Sequence, residues 1–189
     1  MMLTIGALVI FGIFLGAANK LMISNNQIAS QNEYYLTAIS LAQSVIDEAK
    51  TKAFDQKTVS GSVGARSSLT AVASIGIDGL SESVPFPDTL CSSTPYSSNN
   101  RGYMSAVHFN DIDDYNNYYR LVNTPRAEGY RIRVYVNYAN ETSPDNQSMS
   151  QTYCKRMVVK VTSPYFPRVE DGAGVTIPDT LTLSYAFTY

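Results

Sequence analysis

Chemistry, if this chain performs any, would start from the stretch FNDIDDYNNYYR at residues 109–120. There Asp111, Asp113, Asp114, Asn116 and Asn117 set five oxygen-bearing side chains within seven positions. Hard cations such as calcium take oxygen ligands of this kind, which makes Asp111, Asp113 and Asp114 calcium candidates. The run is not an EF-hand, because the turn glycine and the distal glutamate are missing. The same residues suit an Asx-rich turn entering a strand, where Asp and Asn bond their own backbone. His108 is the only histidine, so no multi-histidine metal centre can form. No serine lies in a GxSxG setting, and a Ser–His–Asp site drawn from His108 and the nearby aspartates is the one hydrolytic constellation on offer. The chain is therefore expected not to be an enzyme and to need no cofactor, calcium aside.

Two cysteines, Cys91 and Cys154, lie far apart and form no CxxC or CxxCH pattern. An even, sparse count suits one Cys91–Cys154 disulfide in an oxidising compartment; the alternative is two unrelated buried thiols. The charge balance is 14 Lys and Arg against 16 Asp and Glu, net −2, which leaves no electrostatic footprint for nucleic acid.

The elements that must position these residues begin with the amino terminus. Residues 1–54 read as one long helix with two unlike halves. Residues 1–18, MMLTIGALVIFGIFLGAA, carry no charge. Three readings stand for them. A signal peptide would need a basic start, yet no Lys or Arg precedes Lys20. A membrane anchor is the second, since eighteen apolar residues reach the lower limit of a bilayer span. The third is an apolar half-helix that continues directly into an amphipathic spine, residues 25–54. In that spine Ile39, Ala42, Ile46, Ala49 and Ala53 recur at helical steps and predict one buried stripe. Gly12 and Gly16 form a GxxxG spacing, which lets helices pack closely where no water is present.

Residues 55–189 read as a β-rich head. Its first part, 55–105, is an irregular loop punctuated by Gly, Ser, Pro and Thr, with a short strand piece expected around Leu69–Ala73. Three later runs alternate with a period of two. Their inward sets are Tyr130, Ile132, Val134, Val136 and Tyr138; then Met157, Val159 and Val161; then Leu181, Leu183, Tyr185, Phe187 and Tyr189. The fold expected is α+β, a long helix whose stripe is covered by an antiparallel sheet.

A chain that opens on an apolar run, continues as a helix and enters a β-rich head resembles type IV pilins and type II secretion pseudopilins. LTAISLAQSVIDEAKTKAF is similar in character to the helix just past the apolar part of such proteins, and the DxDDY segment resembles a structural one in some minor pilin heads. The resemblance covers residues 1–54; for the head it extends only to architecture. It implies a subunit held in the inner membrane before assembly, handled by pilus or secretion machinery, then polymerised with copies of itself. The filament would be extracellular on the cell surface, or periplasmic for a pseudopilin. The assembly residues expected are Leu3, Ile5, Leu8, Gly12, Ile13 and Gly16. Ile5 stands where the family commonly has a glutamate, and Met22 near where it commonly has a helix-loosening proline; no basic leader precedes Met1, which is read as the mature first residue. The other function weighed is a membrane-anchored periplasmic binding module that does not polymerise.

Overall fold

The computed structural model describes residues 2–89, 102–170, 172 and 174–189. Helix α1 spans Met2–Ala49 without a break. Nothing interrupts it after Gly16, because the next Gly or Pro in the chain is Gly61. At 1.5 Å per residue it is about 70 Å long, far longer than the head it enters. It stops earlier than the pattern predicted. Thr51 N–H bonds Glu48 O at 3.1 Å and Lys52 N–H bonds Ala49 O at 3.0 Å, so the last turn tightens. The chain then leaves the axis to make a short parallel bridge, Ala53 beside Asp111. Ala53 donates to Asn110 O at 3.1 Å and accepts from Ile112 N at 3.0 Å.

The head is a five-stranded sheet in the order β1-β2-β3-β4-β7. Its strands are β1 (Asp88–Thr89), β2 (Tyr119–Val122), β3 (Tyr130–Tyr138), β4 (Cys154–Thr162) and β7 (Thr180–Thr188). All neighbours are antiparallel except β1 beside β2. A separate two-stranded ribbon, β5 (Arg168–Glu170) with β6 (Thr176–Pro178), precedes β7. The three alternating runs of the sequence are β3, β4 and β7, and β7 buries its expected face less than the other two. All five inward residues of β3 and all three of β4 are buried. On β7 only Phe187 is, because β7 is the edge strand and shares its face with solvent.

Register stacks these faces in rows across the sheet. Val134, Val159 and Leu183 form one row; Tyr138, Lys155 and Phe187 form another. Against the rows lies α1, through Ala38, Ala42, Val45, Ile46 and Ala49, all buried. The predicted stripe needs correcting at both ends. Ile39 is 44% exposed, its place taken by Ala38, and Ala53 lies beyond the helix in the bridge. Alanine at three of the five contacts brings the helix axis close to the strands, and the larger Val45 and Ile46 fill the gap between rows.

Between helix and sheet the chain is mostly irregular, as expected. No strand forms at Leu69–Ala73; a 3-10 turn at Arg66–Ser68 precedes it and another, Val72–Ser74, takes in its end. Leu69 and Thr70 are nevertheless buried, so this loop contributes to the core. The head also holds two short helices, α2 (Gln56–Val59) and α3 (Met104–His108), and 3-10 turns at Leu80–Glu82 and Asp113–Tyr115. Asp55 caps α2 in a reciprocal box with Thr58, accepting from Lys57 N at 3.0 Å.

Candidate functional site

Among the described side chains of α1, the head leaves uncovered those from Ile10 to Glu33. From Ile10 to Glu33 every side chain is exposed except the half-buried Ala18. Ile10, Phe11, Ile13, Phe14, Leu21 and Ile23 are among them, with Ile13 at 68%. At 100° per residue these positions fall all around the axis and not on one stripe. Gly12 and Gly16 have no atom within 4 Å of where a Cβ would stand, so the GxxxG groove is open. Leu3, Ile5 and Leu8 lie within α1, but their side chains are outside the described residues. Among the described residues no helix is long and apolar enough to cross a membrane. The apolar run gives way to Asn19 and Lys20.

Where α1 meets the head, contacts run in order along the helix from an exposed ion pair to aromatic stacks, then to the apolar stripe and a buried ion pair. Glu33 pairs with Arg126 at the exposed rim. Next, the Tyr34 and Tyr35 rings stack on Tyr165 and Phe166 at 5.1 and 4.4 Å. Tyr35 also donates its hydroxyl to Asp179 Oδ2 at 2.5 Å. Burial first, then that carboxylate, pushes the Tyr35 phenol up to about 12.

One helical stretch further on, Glu48 enters a buried network. Arg120 of β2 reaches Glu48 Oε2 at 2.7 Å through Nη2 and Tyr118 OH at 2.7 Å through Nε. Ser105 Oγ and Tyr115 OH donate to Glu48 Oε1 at 2.7 and 2.8 Å. Tyr118 passes its own hydrogen to Asp88 Oδ2 at 2.7 Å, and Asp88 also accepts Ser105 N–H at 3.0 Å. The Tyr103 ring covers the guanidinium at 3.9 Å. A charge with this many partners is satisfied in a dry site.

The second buried cluster holds the aspartates that the sequence singled out. Asp111 Oδ1 accepts from Asp113 N at 2.7 Å and Asp114 N at 3.2 Å; Asp114 Oδ2 accepts from Asn110 N at 2.9 Å and Asp111 N at 3.3 Å. This is the Asx-rich turn, closed on its own backbone. Asn117 at its end takes φ +64°, a left-handed conformation that Asn tolerates. Asn116 braces the turn on β3 by accepting Val136 N–H at 3.1 Å. Asp113 faces elsewhere, toward Lys155. The three calcium candidates thus serve different partners. Among the described residues no three His, Cys, Asp or Glu side chains converge as metal ligands would.

Lys155 was not legible as a site residue. It occupies a core-facing register of β4 between Tyr138 and Phe187, with its side chain fully buried. Its Nζ donates to Phe54 O at 2.9 Å, Asp55 Oδ2 at 2.7 Å and Asp113 Oδ2 at 2.8 Å. The Phe54 and Tyr138 rings flank it at 4.6 and 5.0 Å. The carboxyls around it differ. Burial opposes ionisation of Asp55, but Lys155 and the N–H groups of Lys57 and Thr70 outweigh it and hold that carboxyl below its usual range. Burial pushes Asp113 up to about 6 against the pull of Lys155. Asp111 rises to about 8, by burial first and then by the charges of Asp113 and Asp114. Asp114 rises to about 6 through burial, opposed by its backbone donors.

The remaining candidates are not brought into a site. His108 ends α3, and its Nδ1 lies 2.7 Å from the Ser81 carbonyl, not from a serine hydroxyl or an aspartate. Cys154 is a buried free thiol, and Cys91, its expected disulfide partner, lies outside the described residues. Comparison with protein-family models, with curated proteins and with solved structures finds no match for this chain.

Proposed function

We propose that this chain is a structural subunit of a type IV pilus-like or pseudopilin-like filament, polymerising through the projecting half of α1. One observation carries the reading: from Ile10 onward the helix presents large apolar side chains on all its sides, and none of the described residues of the head covers them. Exposed apolar surface on that scale marks an interaction site. A filament of identical subunits covers every side of such a helix at once, whereas a single partner groove would cover one. The open Gly12 and Gly16 positions support it, since they admit a neighbouring backbone at close range. The order of elements, a long helix laid on an antiparallel sheet, accords with the pilin-like reading.

In this reading the subunit waits in the inner membrane, is taken up by pilus or secretion machinery, and adds to copies of itself in a filament outside. For a pseudopilin the filament stays in the periplasm. The head has a structural role and not a catalytic one: its ion pairs fix the helix and its sheet faces outward. Mass spectrometry of the amino-terminal peptide from sheared cell-surface material tests this. Recovery of the helix peptide in that fraction is the expected result. Recovery only with membranes would favour the anchored module that never polymerises.

A further inference from the structure

We propose that Lys155 and Asp113 are sites of a self-made covalent cross-link, an amide bond between the lysine Nζ and the aspartate Cγ. The geometry carries this first. Nζ lies 2.7 Å from Asp113 Oδ1 and 2.8 Å from Oδ2, so it faces the carboxyl carbon at about 3 Å, near-attack range. Both side chains are 0% exposed, which excludes the water that would otherwise solvate the pair and reverse the bond. Among the described residues Asp113 Oδ1 makes no well-directed hydrogen bond, so no other donor competes with the amine for this oxygen.

The two carboxyls beside Nζ are unequal in a way that assigns their parts. Asp55 is held by Lys57 N, by Thr70 N and Oγ1 and by the Tyr138 hydroxyl, all of which favour its anion. It is the proton acceptor. Among the described residues Asp113 has no such donors apart from Lys155, and it is the electrophile; its raised carboxyl agrees with that. Phe54 and Tyr138 wall the site with rings, and in such surroundings an ion pair is costly while an amide is neutral.

The step balances without any outside reagent. The lysine ammonium gives a proton to Asp55, and the carboxyl of Asp113 holds its own proton. The free amine pair attacks Cγ and forms the N–C bond. A second amine proton passes, through Asp55, to the departing oxygen; the C–O bond breaks and one water leaves. Nothing is oxidised or reduced. The product ties the Asp-rich turn beneath the end of α1 to the second-outermost strand, β4, so the helix mount and the sheet become one covalent loop.

The test is the mass of the purified full chain and of its tryptic peptides. A cross-linked chain is lighter by one water and yields a branched peptide joining residues 102–120 to 134–156, because trypsin no longer cuts after Lys155. Lys155→Met and Asp113→Ala should both restore the full mass, and Asp55→Asn should slow or stop formation. Separate recovery of 102–120 and 134–155 from the wild-type chain at full mass would overturn the proposal. So would a water-loss product that persists in Lys155→Met. The wild-type measurement decides the matter even if the variants fold poorly.

Discussion

Arg120 donates to Glu48 across 2.7 Å, joining β2 to the last turns of α1 although the two residues are 72 positions apart. Their side chains are 3% and 16% exposed, so the pair is buried at the point where the projecting helix takes its direction from the head. It fixes the angle of a lever about 70 Å long. A rotation at Glu48 would displace Ile13, far out on the helix, by a large distance.

Glu48→Ala should therefore destabilise the head strongly. Removing one partner of a buried pair leaves the other charged and unpaired, at a cost of roughly 3–5 kcal/mol. Urea unfolding should show this as a lower midpoint with an unchanged slope. The double variant Glu48→Leu with Arg120→Met should recover part of the loss, since neither member of the pair is left unpaired and Asp88 keeps its bonds from Tyr118 OH and Ser105 N–H.

Two isoleucines separate the observed stripe from the one the periodicity alone predicts. Ile46 is 1% exposed and Ile39 is 44% exposed. Ile46→Ala should cost about 2–5 kcal/mol in unfolding free energy, whereas Ile39→Ala should stay within about 0.5 kcal/mol. Equal costs would mean that the helix is rotated from the packing described.

The buried aspartates give stability a pH dependence of unusual sign. Asp111 is raised to about 8 in the folded chain, against an unfolded value near 3.9. The folded state therefore holds that proton more tightly. The stability it contributes is full below pH 4 and is lost as pH rises through 8. Asp114, raised to about 6, acts in the same direction. Asp55 is lowered, so its contribution is lost only in acid, outside this window. Urea unfolding between pH 5 and 8 should show stability falling with pH, and Asp111→Asn should flatten that slope.

The sequence showed most of the framework and little of what fastens it. Period-two runs located β3, β4 and β7, because alternation is set by a sheet with one buried face, and Tyr130, Val134 and Val159 are where it puts them. β1 escapes the pattern because two residues are too short to display a period, and the four residues of β2 show only as the strand that the Asx-rich turn enters. The helix end was missed because Lys50 to Phe54 remain helix-compatible, and it is the bridge of Ala53 to Asp111, a long-range pairing, that diverts them. The Asp-rich stretch was visible as a feature with two readings; only the positions of the backbone N–H groups show the Asx turn. Lys155 gave one unused signal, a lysine in step with Met157, Val159 and Val161 on the inward face of its strand. A charge in a core register implies buried partners, but Asp55 and Asp113, from distant parts of the chain, could not be named from spacing.

Electron microscopy of sheared surface material from cells making the wild-type chain or Gly16→Leu tests the role of α1 most directly. Gly16 faces open space in the single chain, so the leucine should leave the head's unfolding midpoint unchanged. If the helices pack on one another at this groove, filaments should be present for wild type and absent for the variant. Normal filaments from Gly16→Leu, with the protein detected in them, would contradict packing through the projecting helix.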